Sequence, residues 1–285
     1  MKPPMREVHV DDIRETVTRL CIEATCILPA DVVGALQIAR KREESLIAVR
    51  VLDHILLNAD QARDEMLPLC QDSGTTIIFL DIGQDVHIVG GDLRQALRDG
   101  VGGGYSDGYL RSSIVDNSFT SRTNAGNSTP PVVHTEIVPG DTVRIQLMPR
   151  GGGCENMSRF TNMLPDSGRQ GVTEFVTKTV RESGETICPP MIVGLGVGGS
   201  AEYAMYMATR ALTRKIGEPN PDPEEAAFEA ELLEKVNGLG LGPQAVGGRA
   251  TALAVHMMTY ATHVASLPVA VNLQCHSARL KEAVL

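Results

Sequence analysis

Apolar residues in the first quarter of the chain recur at helical spacing. Ile13, Val17, Leu20, Cys21 and Ala24 form one stripe, and Asp11 or Asp12 can cap its start. Pro29 can open a second helix containing Asp31, Val32, Val33, Leu36 and Ile38, and a third runs from about Glu44 to Leu56. The rhythm changes at Leu67. Residues 75–82, TTIIFLDI, are a β-branched run between Gly74 and Gly83, the pattern of a buried strand. A short helix over 92–98 and a polar, Gly-rich run over 100–108 follow. Residues 132–138 and 142–148 read as two strands of a hairpin closed by Pro139-Gly140-Asp141. Residues 171–182 form an amphipathic helix. A strand over 191–193 leads through Gly194, Gly196, Gly198 and Gly199 into a helix over 200–215. Residues 219–223 are a linker, 224–236 and 251–264 read as helices, and 268–273 as a last short strand.

This order predicts a mixed α/β fold of the α+β kind, with a helical N-terminal segment (1–66) followed by a mixed-sheet part (67–285). No repeat and no dividing linker is visible, so the expectation is one domain over 1–285.

Composition narrows the function. Aromatic residues are 4% and Trp is absent, so base stacking is a poor basis for binding. A net charge of −9 gives no bulk attraction for nucleic acid, and the cations for any small anion must be local and few. No stretch reaches the roughly 18 uninterrupted apolar residues of a membrane span. The N-terminus MKPPMREVHVDD lacks the apolar core of a signal peptide. The expectation is a cytoplasmic protein without disulfides, whose six cysteines need another account.

Three cysteines sit in unusual settings: Cys70 in LPLCQDSG, Cys188 in TICPPM and Cys275 in NLQCHSAR. Polar residues and Pro break regular structure beside each sulfur, which places thiols at element ends. No CxxC pair exists, which argues against a zinc finger or a thioredoxin-type dithiol. Three distant thiolates can hold three irons of a cubane iron–sulfur cluster. Three buried core cysteines are the plainer alternative. Cys21 falls on the apolar stripe of the first helix, where core packing explains it.

LCQDSG, NAGNSTPPVVH (124–134), MPRGGGCENMS (148–158), ICPPMIVGLGVGGS (187–200) and LPVAVNLQCHSAR (267–279), in this order, resemble the catalytic α part of the class I iron–sulfur fumarases and of the L-tartrate dehydratase α subunits. The resemblance covers nearly the whole chain. It implies a [4Fe–4S] cluster held by Cys70, Cys188 and Cys275, with the fourth iron open as a Lewis acid. It gives Asp72 a part in proton handling, Gln71 a place facing the substrate, and Arg111 in YLRSS the substrate-carboxylate fork. It makes His263 in THVASLP the active-site histidine and Gly153 a backbone position close to substrate. Residues 67–285 become the cluster-binding catalytic part. The implied reaction is reversible hydration of fumarate to L-malate, a step of the tricarboxylic acid cycle. In the family's single-chain members further basic groups come from a C-terminal domain. A separate β subunit, in an α2β2 particle, is therefore the implied partner.

Two patterns pull elsewhere. Residues 194–199 fit G-x-G-x-x-G between strand and helix, but GEPNPDPEE stands where a dinucleotide site needs a second strand ending in an acidic residue. The N-terminus of the following helix could instead face a carboxylate or a cluster sulfide. Cys154 departs from the fumarase pattern, which carries Ser after the triple Gly, and resembles the tartrate dehydratase pattern, while Glu155-Asn156 is fumarase-like. L-tartrate dehydration to oxaloacetate is thus the rival reaction. A non-catalytic iron–sulfur sensor and a zinc-binding structural subunit are the rivals of other classes. Gln71, Asp72, Arg111 and His263 argue against the sensor, and the scattered cysteines against zinc.

Overall fold

The structure is a computed structural model that describes residues 5–285; residues 1–4, which begin the signal-peptide reading, lie outside it. In chain order the elements are β1 (Arg6–His9), α1 (Val10–Cys26), α2 (Ala30–Arg42), α3 (Leu46–Glu65), β2 (Thr75–Gly83), β3 (Val86–Val89), α4 (Leu93–Asp107), β4 (Val132–Val138), β5 (Val143–Arg150), α5 (Gly152–Glu155), β6 (Arg159–Met163), α6 (Gly168–Ser183), β7 (Met191–Gly198), α7 (Ala201–Ala211), α8 (Pro223–Asn237), β8 (Ala252–Tyr260), β9 (Leu267–Gln274) and β10 (Lys281–Val284). The fold is mixed α/β, with helices leading and sheets following. The chain divides into two compact units. One comprises residues 1–28, 61–152 and 279–285, the other 29–60 and 153–278.

The first unit is built on the sheet β10-β5-β2-β4, in which β2 runs parallel to β4 and antiparallel to β5. α1 and α4 pack together over its core. The α1 stripe is fully buried at Ile13, Val17, Leu20, Cys21 and Ala24, so Cys21 is a core residue and burial pushes its thiol pKa up. The cap of α1 is His9, whose side chain accepts from Asp11 N; Asp11 and Asp12 lie in the first turn, favoured there by the helix dipole. By length and composition Val10–Arg42 is apolar enough to cross a membrane. It is nevertheless two helices, interrupted at residues 27–29, and α1 buries its apolar stripe in this unit.

Two sequence readings change here. The Gly-rich run over 100–108 does not leave the helix but forms most of α4. Gly100 and Gly104 face α1: a Cβ at Gly104 would stand 2.6 Å from Cys21 Cβ, so small residues let the helices touch. Close packing offsets the roughly 1 kcal/mol that each mid-helix Gly costs relative to Ala. The expected hairpin over 132–148 is not a hairpin, because β2 lies between β4 and β5. β2 is buried along almost its whole length while β4 is an exposed edge, so the apolar strand takes the centre. The connection crosses the end of β2 at Gly83, where any Cβ would collide with the Gly140 carbonyl.

The second unit is built on β6-β9-β7-β8, with β7 parallel to β8 and antiparallel to β9. α6 and α8 contribute to its apolar core through Val172, Val176, Val180, Phe228, Leu232 and Val236. The expected helix over 251–264 is a strand, β8. Ala, Leu and Met favour helix locally, but the open edge of β7 is the partner that satisfies the backbone. The strand expected over 191–193 continues to Gly198. Gly194 and Gly196 lie within it because α7 crosses directly above: a Cβ at either would run into the carbonyls of Ala208 or Ala204. These glycines are therefore packing residues, not a dinucleotide cradle.

Candidate functional site

In the first unit Cys70, Gln71 and Asp72 occupy the loop between α3 and β2. Cys70 and Asp72 are half-buried and Gln71 is exposed. The Asp72 N–H points at Cys70 Sγ at 3.4 Å, a geometry that stabilises a thiolate. The Asp72 carboxylate accepts from the Gly152 N–H at 2.7 Å through Oδ2, which leaves Oδ1 without a described partner. The loop is pinned from beneath by Tyr105 of α4, whose hydroxyl donates to the carbonyls of Ser73 (2.9 Å) and Gly74 (3.1 Å). Burial pushes that phenol up to about 12, so it remains a donor at neutral pH. Gly74 has φ +72°, and a Cβ there would overlap the Arg150 carbonyl. Only glycine allows β2 to begin so close to the end of β5.

Arg111 follows α4. Its backbone N–H donates to Ser73 Oγ at 3.2 Å, which ties it to the same loop. Its side chain is exposed and makes no hydrogen bond or ion pair with a described residue. A fork so placed is available for an incoming carboxylate. The segment after it, which includes NAGNSTPPVVH, is held by polar contacts: Asn124 Oδ1 accepts from Ser112 Oγ (2.8 Å) and Gly126 N (2.8 Å), and Ser128 Oγ from Ser113 N (3.1 Å).

In the second unit Cys188 ends a 3-10 turn with a left-handed backbone, φ 52° and ψ 70°. His276 grips its carbonyl, with Nδ1 at 2.9 Å and the backbone N–H at 3.4 Å. Gln244 Nε2 lies 3.1 Å from the same Nδ1, which donates to the Cys188 carbonyl in one tautomer and accepts from this amide in the other, and the Gln244 backbone N–H donates to the Pro189 carbonyl at 2.8 Å. Sequence reading missed Gln244 and His276 as supports; only the flanking Pro pair and the HS dipeptide hinted at irregular backbone. Cys275 follows β9, and its N–H points at the Sγ of buried Cys154 at 3.4 Å. Cys154 thus sits beside one of the three cysteines, as a thiol of the second unit's core. Gly153 is half-buried, and a Cβ there would come 2.8 Å from the Thr186 carbonyl, which requires a small residue at this point.

β9 runs antiparallel to β7, with Gln274 opposite Ile192, so Cys188 and Cys275 share one end of this sheet. His263 does not share it. It lies exposed after β8, beyond the pairing of Tyr260 with Gly198, at the opposite end. Eight residues of β7 at about 3.3 Å each put the two ends on the order of 20 Å apart. There Thr262 Oγ1 donates to the Gly199 carbonyl at 2.9 Å and His263 Nδ1 accepts from Ala265 N at 3.2 Å. The N-terminus of α7 is at this same far end, so it faces neither Cys188 nor Cys275 of its own chain.

None of the six cysteines is in a disulfide. Cys70, Cys188 and Cys275 are half-buried, whereas Cys21, Cys26 and Cys154 are buried. Among the described residues no three His, Cys, Asp or Glu side chains gather as a site for a single metal ion. A cluster asks for something else, one thiolate per iron at wider separation. Reduced, partly accessible thiols at element ends, one of them facing a backbone N–H, suit that donor set.

The family profile described as fumarate hydratase (Fumerase) matches residues 14–284. A relative from Methanocaldococcus jannaschii, named putative L(+)-tartrate dehydratase subunit alpha, is 37% identical over 273 residues, covering 94% of this chain and 95% of its own. The L(+)-tartrate dehydratase subunit alpha of Escherichia coli is 29% identical over 281 residues, covering 98% and 92%.

Proposed function

Since this chain belongs to the fumarate hydratase (Fumerase) family of hydro-lyases, we propose that it is an iron–sulfur α subunit that adds water to fumarate and removes it from L-malate. The observation that carries this reading is the division of the cysteines. The three set beside breakers of regular structure, Cys70, Cys188 and Cys275, are partly accessible, whereas Cys21, Cys26 and Cys154 are buried. Cys70, Cys188 and Cys275 would hold a [4Fe–4S] cluster, which when bound supplies a Lewis-acidic iron to a substrate oxygen.

The chain's own residues do the remaining work. Arg111 pairs a substrate carboxylate through its fork and orients the molecule. Asp72, with Oδ2 fixed by the Gly152 N–H, presents Oδ1 to hold or move a proton. Gln71, exposed beside it, donates to the substrate. The backbone at Gly153 lines the approach. His263 stands too far from Cys188 and Cys275 to serve the site of its own chain, so its role falls in the site of a second copy, as an α2β2 particle would allow. The relatives are named subunit alpha, which supports a separate β subunit bringing further cations. We place the assembly in the cytoplasm.

L-tartrate dehydration to oxaloacetate is the second reading. Two observations favour it: the names of the relatives, and Cys154 where the fumarase pattern has Ser. The deciding experiment is anaerobic cluster reconstitution of the chain, then assay of fumarate hydration and L-tartrate dehydration with and without the β chain. Turnover confined to the α–β mixture, with fumarate the better substrate by kcat/KM, is the expected result. Better turnover of tartrate replaces the substrate assignment. Full activity in colourless, chelator-treated protein removes the cluster from the account, and equal activity without the β chain removes the shared site.

A further inference from the structure

Arg279 is 1% exposed, among the most deeply buried large side chains of the protein. Its guanidinium makes one hydrogen bond, from Nη1 to the Asp72 carbonyl at 2.6 Å. Nε is buried without an acceptor, and no carboxylate of a described residue pairs with the charge. A guanidinium carries five N–H donors and never loses its proton in a protein. A buried charge is kept only where something pairs with it. A neighbouring acid, Asp72, already has Oδ2 on the Gly152 N–H. Gly151 opens the space between the two groups: a Cβ there would stand 2.8 Å from Asp72 Oδ2 and 3.5 Å from Arg279 Nη2. The charge therefore lies directly under the loop that carries Cys70, and no carboxylate of the described residues is within ion-pair distance of it.

Building on the iron–sulfur reading above, we propose that Arg279 is the built-in countercharge for an anion held at the Cys70–Asp72 loop, either the metal-bound Cys70 thiolate or a carboxylate of the dicarboxylate substrate. The bond to the Asp72 carbonyl positions the loop, and the fixed charge favours the loaded state over the empty one. Arg279 handles no proton. Its cost to the empty protein is accepted because the site is anionic when filled.

The test compares wild type, Arg279→Gln and Arg279→Lys, each reconstituted anaerobically. Iron and sulfide content, the visible spectrum, the cluster's midpoint potential and the rate of iron loss in air are read first. Dissociation constants for L-malate and L-tartrate are read second. If wild type takes up no iron, the cluster reading fails on its own terms, and the dicarboxylate constants alone judge Arg279. A more negative potential and about tenfold faster iron loss in Arg279→Gln, restored in Arg279→Lys, identify the anion as the thiolate. An unchanged cluster with about tenfold weaker dicarboxylate binding, again restored by Lys, identifies it as the substrate carboxylate. A folded Arg279→Gln that matches wild type in every reading overturns the proposal. If Arg279→Gln does not fold, Arg279→Lys decides: retained potential and affinity support the countercharge, and loss of both in a folded protein overturns it.

Discussion

Two arginines, a half-buried one in the second unit and a buried one in the first, meet their surroundings in opposite ways. In the second unit Arg214 reaches both oxygens of Glu229 at 2.6 Å. Glu229 in turn accepts from Asn220 Nδ2 (2.9 Å) and from the Met257 N–H (2.6 Å). That cluster fastens α8 to β8 and to the segment after α7, and its charges close on themselves. In the first unit Arg279 has one carbonyl and, among the described residues, no counter-ion. A charge that the fold satisfies is a structural fastening. One that it leaves open, beneath a loop bearing a half-buried thiol, asks for a ligand. The same residue type thus separates the scaffold from the site, and the partner list makes the distinction.

The comparison breaks most severely at the cysteines. Cys70→Ser, Cys188→Ser and Cys275→Ser should each abolish cluster retention and activity, with the apo protein still folded. Iron and sulfide analysis after anaerobic reconstitution checks this, and retention of a full cluster in any one of them removes that residue from the ligand set.

The fastening comes next. Glu229→Gln strands the Arg214 charge in a buried place and should cost about 3–5 kcal/mol of stability, read as a fall in the urea midpoint. Reconstituted cluster content should not change while the protein is folded. A loss below about 1 kcal/mol would mean that the buried pair is no fastening.

The same cluster sets a pH dependence. Burial first, then the positive charge of Arg214, push His256 down from 6.5 to about 4, while Glu229 and Asp31 pull the other way. The unfolded chain therefore binds this proton at higher pH than the folded one. The contribution is complete above pH 6.5, falls as pH drops towards 4, and is gone below it, a total of about 3 kcal/mol. His256→Gln should flatten that part of the stability–pH curve measured by urea unfolding; parallel curves for the two proteins would refute the assignment.

Smaller still is the expected loss at the open cation. Arg111→Lys keeps the charge but not the fork, and kcat/KM should fall at least tenfold, about 1.4 kcal/mol, with iron content unchanged. Activity within about twofold of wild type would deny Arg111 the carboxylate. The smallest effect belongs to Cys154→Ser, which replaces the sulfur facing the Cys275 N–H with an oxygen and, on the proposed assignment, removes no ligand. The cluster should persist, and the informative quantity is the ratio of fumarate to tartrate turnover. Loss of iron in this variant would reassign the ligands.

Much of this molecule was legible in its sequence, and the failures have definite causes. The α1 stripe, Pro29 at the head of α2 and the β2 run were readable because each rests on neighbours in the chain. β8 was read as helix because Ala, Leu and Met favour helix locally, and nothing nearby in sequence announces the edge of β7. The polar, Gly-rich run over 100–108 carries no local sign of helix because what makes it helical, α1 lying against it, is far away in sequence. The hairpin reading of 132–148 failed because a turn sequence says nothing about a third strand inserted between its arms.

For the proposed site, the sequence by itself determined the candidate chemistry: three cysteines beside breakers of regular structure and an acid-amide pair after the first, with an arginine and a histidine added by the family resemblance. Residue identity carries that information because thiolates, forks and imidazoles have few substitutes. Only the tertiary structure decided which of the six thiols remain accessible, that His263 lies at the far end of the sheet from Cys188 and Cys275, and that Arg279 is buried beneath Asp72 without a counter-ion. Those are properties of burial and of strand direction. They depend on contacts between residues far apart in the chain, which no local pattern encodes.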